Sequence, residues 1–238
     1  MALTKGNTMP GWLTTGKEAN DTLQREQSRV TNTRPTALRY WMTPGENGKI
    51  TFLDGSLDED GMFDIPMYFE HNVKMAGNRW DQFVCTQYVD PCPICEGGDT
   101  PRFVGVVTVI DHRKIESKKD VGKVYQNDPK LFVMTTNTLK TLMSYAKKRG
   151  GLTGWTVEVS RTGDKKPRVG DTFDFETQVT EKELLTTYGV NGKLPIPDYS
   201  KSLNYLPAAE LRKLGFGAVE ETVSYGPGEA QDLEDDLA

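Results

Sequence analysis

Arg102-Phe103-Val104-Gly105-Val106-Val107-Thr108-Val109-Ile110 decides how this chain is read. A β-branched run of strand length, it predicts the firmest strand of the fold. Outward from it the same character recurs in shorter pieces. Leu38–Met42, Lys49–Leu53, Met62–His71 and Gln82–Val89 are apolar or aromatic runs punctuated by turns. An Asn-Gly pair within Glu46-Asn47-Gly48 predicts a hairpin between the first two. Downstream, Leu131–Thr136 continues the pattern. In Thr138–Arg149 the residues Leu139, Leu142, Met143 and Ala146 then fall at helical spacing. Trp155–Gly163 and Asp171–Val179 alternate with period two and are joined by the basic loop Gly163–Gly170. Short helices are expected at Glu181–Tyr188 and Ala208–Leu214, separated by a loop through Leu194-Pro195-Ile196-Pro197. Many short strands with two or three helices predict a mainly β fold with some α, a small barrel with elaborations.

The two ends differ from this body. Residues 1–33 are polar, and a helical pattern over Thr15–Arg29 has only Ala19 and Leu23 to bury, so a weakly ordered arm is expected. Gly226-Pro227-Gly228 roots an acidic tail that cannot fold alone. The expected divisions are an arm at 1–33, a core at 34–217 with a metal-binding subdomain near 63–100, and a disordered tail at 218–238. The chain has 238 residues, 36% of them hydrophobic, and a mean hydropathy of −0.56, which fits one large domain with appendages. No apolar run approaches the roughly 18 residues of a membrane helix. MALTKGNTMPGW lacks the apolar core of a signal peptide. Membrane and secreted classes are thereby set aside.

Charge is distributed unevenly along the chain. Residues 101–170 hold 15 Lys and Arg against 6 Asp and Glu, whereas seven acids and no base follow Lys213. A basic middle with an acidic end suggests a polyanion-binding body that carries an interaction tail.

All three cysteines fall within Cys85–Cys95, too clustered for a disulfide framework. With His71 they form the order His71, Cys85, Cys92-Pro93-Ile94-Cys95. Three thiolates and an imidazole suit one closed, structural zinc ion, Zn2+, and His112 is the competing imidazole. Cys-Pro-Ile-Cys also resembles a glutaredoxin-like redox dithiol. That chemistry needs a helix N-terminus, and the breaker cluster Glu96–Pro101 argues against a long helix there. Ordinary buried thiols are the third reading.

Aromatic and basic residues interleave at Arg39-Tyr40-Trp41, Arg79-Trp80, Arg102-Phe103 and Lys123-Val124-Tyr125. Single-stranded nucleic acid asks for that mixture, because bases stack on rings while cations track phosphates. Arg161, Lys165, Lys166 and Arg168 make a basic finger between two expected strands. Any one aromatic, Trp41 or Phe103 for instance, has an equally ordinary place in a core.

These residues together resemble the T-even phage single-stranded DNA-binding, or helix-destabilising, protein family. The likeness runs through Asn47–Leu53, His71, Gly77-Asn78-Arg79-Trp80, Cys85 and Asp90-Pro91-Cys92-Pro93-Ile94-Cys95. It continues through Arg102–Asp111, Gly122-Lys123-Val124-Tyr125 and the acidic, Leu-containing end. The resemblance implies an OB-fold core with a zinc subdomain whose ligands are His71, Cys85, Cys92 and Cys95. It places Tyr88, Phe103 and Tyr125 among cleft aromatics and Arg102 and Lys123 among cleft bases. It also implies cooperative binding of single-stranded DNA, with self-association on it, during replication, recombination and repair in the cytoplasm of an infected bacterium. Partner enzymes would meet the tail at Leu233, Glu234, Asp235, Asp236 and Leu237. The spacing from Cys85 to Cys92 is shorter than in the T-even protein, and the family's basic arm motif has no counterpart in MALTKGNTMPGW.

No nucleophile-base pair, phosphate loop or paired-carboxylate motif is found, so a non-catalytic protein is expected. The runner-up is a zinc-stabilised nucleic-acid adaptor of phage transcription or the replisome.

Overall fold

The computed structural model of the chain describes residues 38–75, 79–116, 122 and 124–217. The expected arm and tail lie outside the described residues. In chain order the elements are β1 (Asn47–Phe52), β2 (Met67–Lys74), β3 (Trp80–Val84), α1 (Pro93–Glu96) and β4 (Arg102–Asp111). There follow β5 (Ile115–Glu116), β6 (Val124–Tyr125), β7 (Asp128–Thr135), α2 (Thr136–Arg149), β8 (Trp155–Ser160) and β9 (Thr172–Gln178). The last are α3 (Glu181–Tyr188), α4 (Tyr199–Ser202) and α5 (Ala208–Lys213). The architecture is mainly β, with antiparallel pairing and few helices. Among the described residues no helix is long and apolar enough to cross a membrane.

The chain forms two compact units. The first takes in residues 38–54, Val107–Phe132 and Leu152–Asn204. Here β1 lies between the second half of β4 and β8, and β9 pairs on the far side of β8, all antiparallel. Alternation drives the pairing: Val157, Val159 and Phe173 turn inward while Glu158 and Asp174 turn out. Phe132 is the hub of the core. Its ring lies 5.4 Å from Tyr40, 5.8 Å from Phe52 and 6.4 Å from Phe173. α3 begins with a complete capping box between Thr180 and Glu183, and its Leu184 is buried against Leu53 and Ile110.

The second unit comprises Gly55–Val106, Val133–Gly151 and residues 205–217. Its sheet runs β3-β2-β4, with Phe69 opposite Phe103 and His71 opposite Phe83. Phe83, Cys85, Cys92, Ile94 and Leu211 form one of its buried clusters, onto which Phe69, Val73, Leu206 and Phe216 pack. Arg212 of α5 clamps Glu96 of α1 at 2.8 Å. α2 buries Leu139, Leu142 and Ala146 of the stripe expected from spacing, leaves Met143 half-buried, and begins two residues earlier than the pattern indicated.

Two expectations are corrected. Asn47-Gly48 makes no hairpin turn; both residues lie within β1 and pair with Ser160 and Val159. Glycine is needed at 48 for close approach, since a Cβ there would sit 2.7 Å from Arg113 Cδ. The chain turns instead at Thr43–Glu46, where the Glu46 carboxylate accepts from the Thr43 N–H and hydroxyl at 2.6 and 2.8 Å. Between α3 and α5 the expected Pro-rich loop also contains α4, capped by Asp198.

Candidate metal centre and nucleic-acid surfaces

His71 stands in mid-β2 with its side chain fully buried. Cys85 follows β3 and stays in the ladder, its N–H donating to Phe69 O at 2.8 Å. Cys92 caps α1 and Cys95 lies within it, where Pro93 suits a first helical position and Glu96 N–H closes the turn onto Cys92 O. The four ligand atoms all lie within 4.8 Å of one another. Cys85 Sγ is 3.6 Å from Cys95 Sγ, and His71 Nε2 is 3.4 Å from Cys92 Sγ and 3.5 Å from Cys95 Sγ. Zinc–sulfur bonds of about 2.3 Å and zinc–nitrogen bonds of about 2.0 Å at tetrahedral angles require sulfur–sulfur spacings of about 3.8 Å and sulfur–nitrogen spacings of about 3.5 Å. The four residues therefore fit a single metal ion.

Thiol electrostatics agree with that fit. Burial raises the Cys92 thiol, but N–H donation from Cys95 and Thr86 outweighs it and brings it down to about 6. Burial, joined by the two neighbouring thiols, pushes Cys95 up to about 12. Burial also raises Cys85. Without a cation, one thiolate holds back the ionisation of its neighbours; a divalent ion at the centre removes that conflict. His112 takes no part. It shares hydrogen bonds with Thr51 at 2.8 Å and Asn127 at 2.7 Å, in the other unit. Sequence reasoning missed Asp99, whose Oδ2 accepts from His71 Nδ1 at 2.6 Å. It follows Gly97-Gly98, read from sequence only as a breaker.

The expected nucleic-acid residues divide in an informative way. Strand alternation puts Phe69 and Phe103 on the metal-facing side of β2 and β4, and Glu70 and Arg102 on the other. Phe103 and Arg102 therefore do not share one cleft wall; Arg102 pairs with Glu70 at 2.9 Å. Tyr88, 74% exposed on the loop between Cys85 and Cys92, extends the first side: Tyr88 to Phe69 is 5.4 Å and Phe69 to Phe103 is 5.1 Å. Trp80 is 49% exposed opposite Lys74, on the side of Arg102. Phe69 was legible in principle, because it precedes His71 by two in a strand and must share its face.

In the first unit, Tyr40 and Arg161 are corrected. Tyr40 is only 2% exposed, packed on Phe132 with the Arg113 guanidinium 4.5 Å over its ring, so it has no face to offer a base. Its neighbour Trp41 is 59% exposed. Arg161 is buried and braces the chain, donating to Met42 O at 2.6 Å and Asp164 O at 2.9 Å. Lys165, Lys166 and Arg168 are exposed on the loop it anchors, and Arg168 O accepts from Met42 N–H, next to Trp41. Arg39 is half-buried and bridges to Leu131; Tyr125 is half-buried in the β5–β6 hairpin. Lys123 and Leu233, Glu234, Asp235, Asp236 and Leu237 lie outside the described residues.

No protein-family model matches the chain significantly, and neither a curated protein nor a solved structure does so.

Proposed function

We propose that this chain is a non-catalytic single-stranded DNA-binding protein of the T-even phage helix-destabilising type, with an OB-like barrel and one structural zinc. The aromatic row Tyr88–Phe69–Phe103 carries the reading. Three rings in sequence, one on a metal-clamped loop and two in register on a sheet, make a platform on which bases stack for roughly 1–3 kcal/mol each. The metal fixes that platform, since Cys85 and Cys92 bracket Tyr88. Three thiolates and an imidazole are a donor set that selects zinc over magnesium or calcium, and four protein ligands leave no open position for catalytic water.

Cations for the phosphates support the same reading. α2 carries Lys140, Lys147, Lys148 and Arg149 with no acid, and Lys165, Lys166 and Arg168 are exposed beside Trp41. The acidic tail is the proposed contact for replication and recombination enzymes, and protomers on one strand associate with each other. The work is done in the cytoplasm of the infected host.

Titration of Trp fluorescence with equal lengths of oligo-dT, duplex DNA and RNA tests this. Strong preference for oligo-dT is expected. Equal affinity for duplex would favour a zinc-stabilised adaptor of transcription or the replisome instead.

A further inference from the structure

We infer that Asp99 is the positioning residue of the metal centre, holding His71 so that Nε2 faces the ion. The inference rests on the metal reading and goes beyond it, because it assigns the outer partner that decides which imidazole nitrogen binds. His71 is wholly buried, and its two nitrogens have different neighbours. Nε2 lies among the sulfurs of Cys92 and Cys95, while Nδ1 meets Asp99 Oδ2 at 2.6 Å. A carboxylate has no proton to give, so the hydrogen in that bond sits on Nδ1. A metal bound among those sulfurs takes the Nε2 lone pair and leaves the Nδ1 hydrogen to Asp99. Carboxylates behind metal-bound imidazoles act in this way, fixing the tautomer and raising ligand basicity.

The backbone explains how Asp99 arrives there. α1 ends in a tight reversal: Gly97 N–H donates to Pro93 O at 3.1 Å, Gly98 N–H to Cys95 O at 2.9 Å and Asp99 N–H to Ile94 O at 3.3 Å. Gly98 has φ +86°, a left-handed conformation in which a side chain is strained even though the space around it is open. Cys92-Pro93-Ile94-Cys95-Glu96-Gly97-Gly98-Asp99 is thus a single knuckle that delivers two thiolates and the carboxylate orienting the third ligand. The Asp99 side chain is 42% exposed, so shortening it leaves no large buried void. Its effect should reach the metal and not the packing.

The experiment compares wild type with Asp99→Ala, Asp99→Asn and Asp99→Glu, all full-length and reduced. Zinc affinity is measured by competition with a chromophoric chelator. The His71 ring, its bound nitrogen and its Nδ1–H, is read by nitrogen-15 and proton NMR of the zinc-loaded protein. Asp99→Ala should raise the zinc Kd by about 10–100-fold and open the Nδ1–H of the bound ring to exchange with water. Asp99→Glu should recover part of both effects. The isosteric Asp99→Asn, which keeps an oxygen acceptor but not the charge, should fall between; it carries the test if the alanine variant does not fold. Unchanged Kd and unchanged Nδ1–H exchange in Asp99→Ala, with a wild type that binds zinc, would overturn the role of Asp99 alone. A wild type that takes up no zinc would overturn the metal reading and this inference together.

Discussion

The two units solve the same problem by different means. The first has a ring of large side chains around Phe132, with Phe52, Ile50, Leu131 and Val157 fully buried beside it. In the second, the cluster around the metal site has five principal buried members, Phe83, Cys85, Cys92, Ile94 and Leu211, two of them cysteines. A cluster of that size buries little apolar area, and each buried thiol contributes less than a leucine would. A bound ion would make up the difference, because ligand bonds formed only in the folded state count fully toward folding. The first unit should therefore be indifferent to metal and the cluster around the metal ligands in the second dependent on it.

Metal removal should have the largest effect. Structural zinc sites contribute on the order of 10 kcal/mol of apparent binding energy at neutral pH, all of it lost on chelation. Chelator, or Cys92→Ser, should abolish hydrogen-exchange protection around Phe83, Ile94 and Leu211 while amides around Phe132 keep theirs. Loss of protection in equal measure throughout would erase the distinction between the units. Next in size, Phe132→Ala should cost about 3–5 kcal/mol in chemical denaturation, since the ring touches three other aromatic rings and is fully buried. Zinc affinity should be unaffected by it.

A half-buried carboxyl in the first unit, Asp54, gives a smaller, pH-dependent effect. Burial raises Asp54 to about 6, even though the Tyr199 hydroxyl and Thr108 N–H donate to it. The folded state thus holds this proton more tightly than the unfolded chain, whose carboxyl titrates near 3.9. The contribution is fully present below about pH 4 and is lost as pH rises through about 6. Asp54→Asn, which cannot ionise, should flatten stability between those pH values. A wild-type stability that does not fall over this window would count against a raised Asp54.

The finest prediction separates neighbours. Trp41→Ala should weaken oligo-dT binding by roughly 1–3 kcal/mol and leave the melting temperature nearly unchanged, whereas Tyr40→Ala should do the reverse. Replacing Lys165, Lys166 and Arg168 with Gln should lower the salt slope by about 2, at roughly 0.7 per phosphate on a single strand. An unchanged slope would remove the loop from the interface and leave the aromatic row of the second unit to bind alone.

What the sequence by itself determined was local. Val104–Ile110 read as a strand because β-branched side chains favour extended backbone, and α3 read correctly because its cap and its buried Leu184 lie within one short stretch. The four metal ligands were legible because thiolates and imidazoles at such spacing have few other uses, and their chemistry does not depend on the rest of the chain. Tertiary structure decided everything that required knowing which side of an element is covered. Tyr40 and Trp41 are adjacent and equally aromatic, yet one packs on Phe132 and the other faces solvent. Arg161 looked like a free cation until Met42 O and Asp164 O were brought to it, and Gly48 looked like a turn until Arg113 was laid against it. Asp99 was hidden for the same reason. Its partner lies 28 residues away in sequence, and only the pairing of strands and the reversal after α1 bring the carboxylate to the imidazole. Composition and periodicity report how a residue relates to its chain neighbours, whereas burial and partnership arise from contacts between segments far apart along the chain.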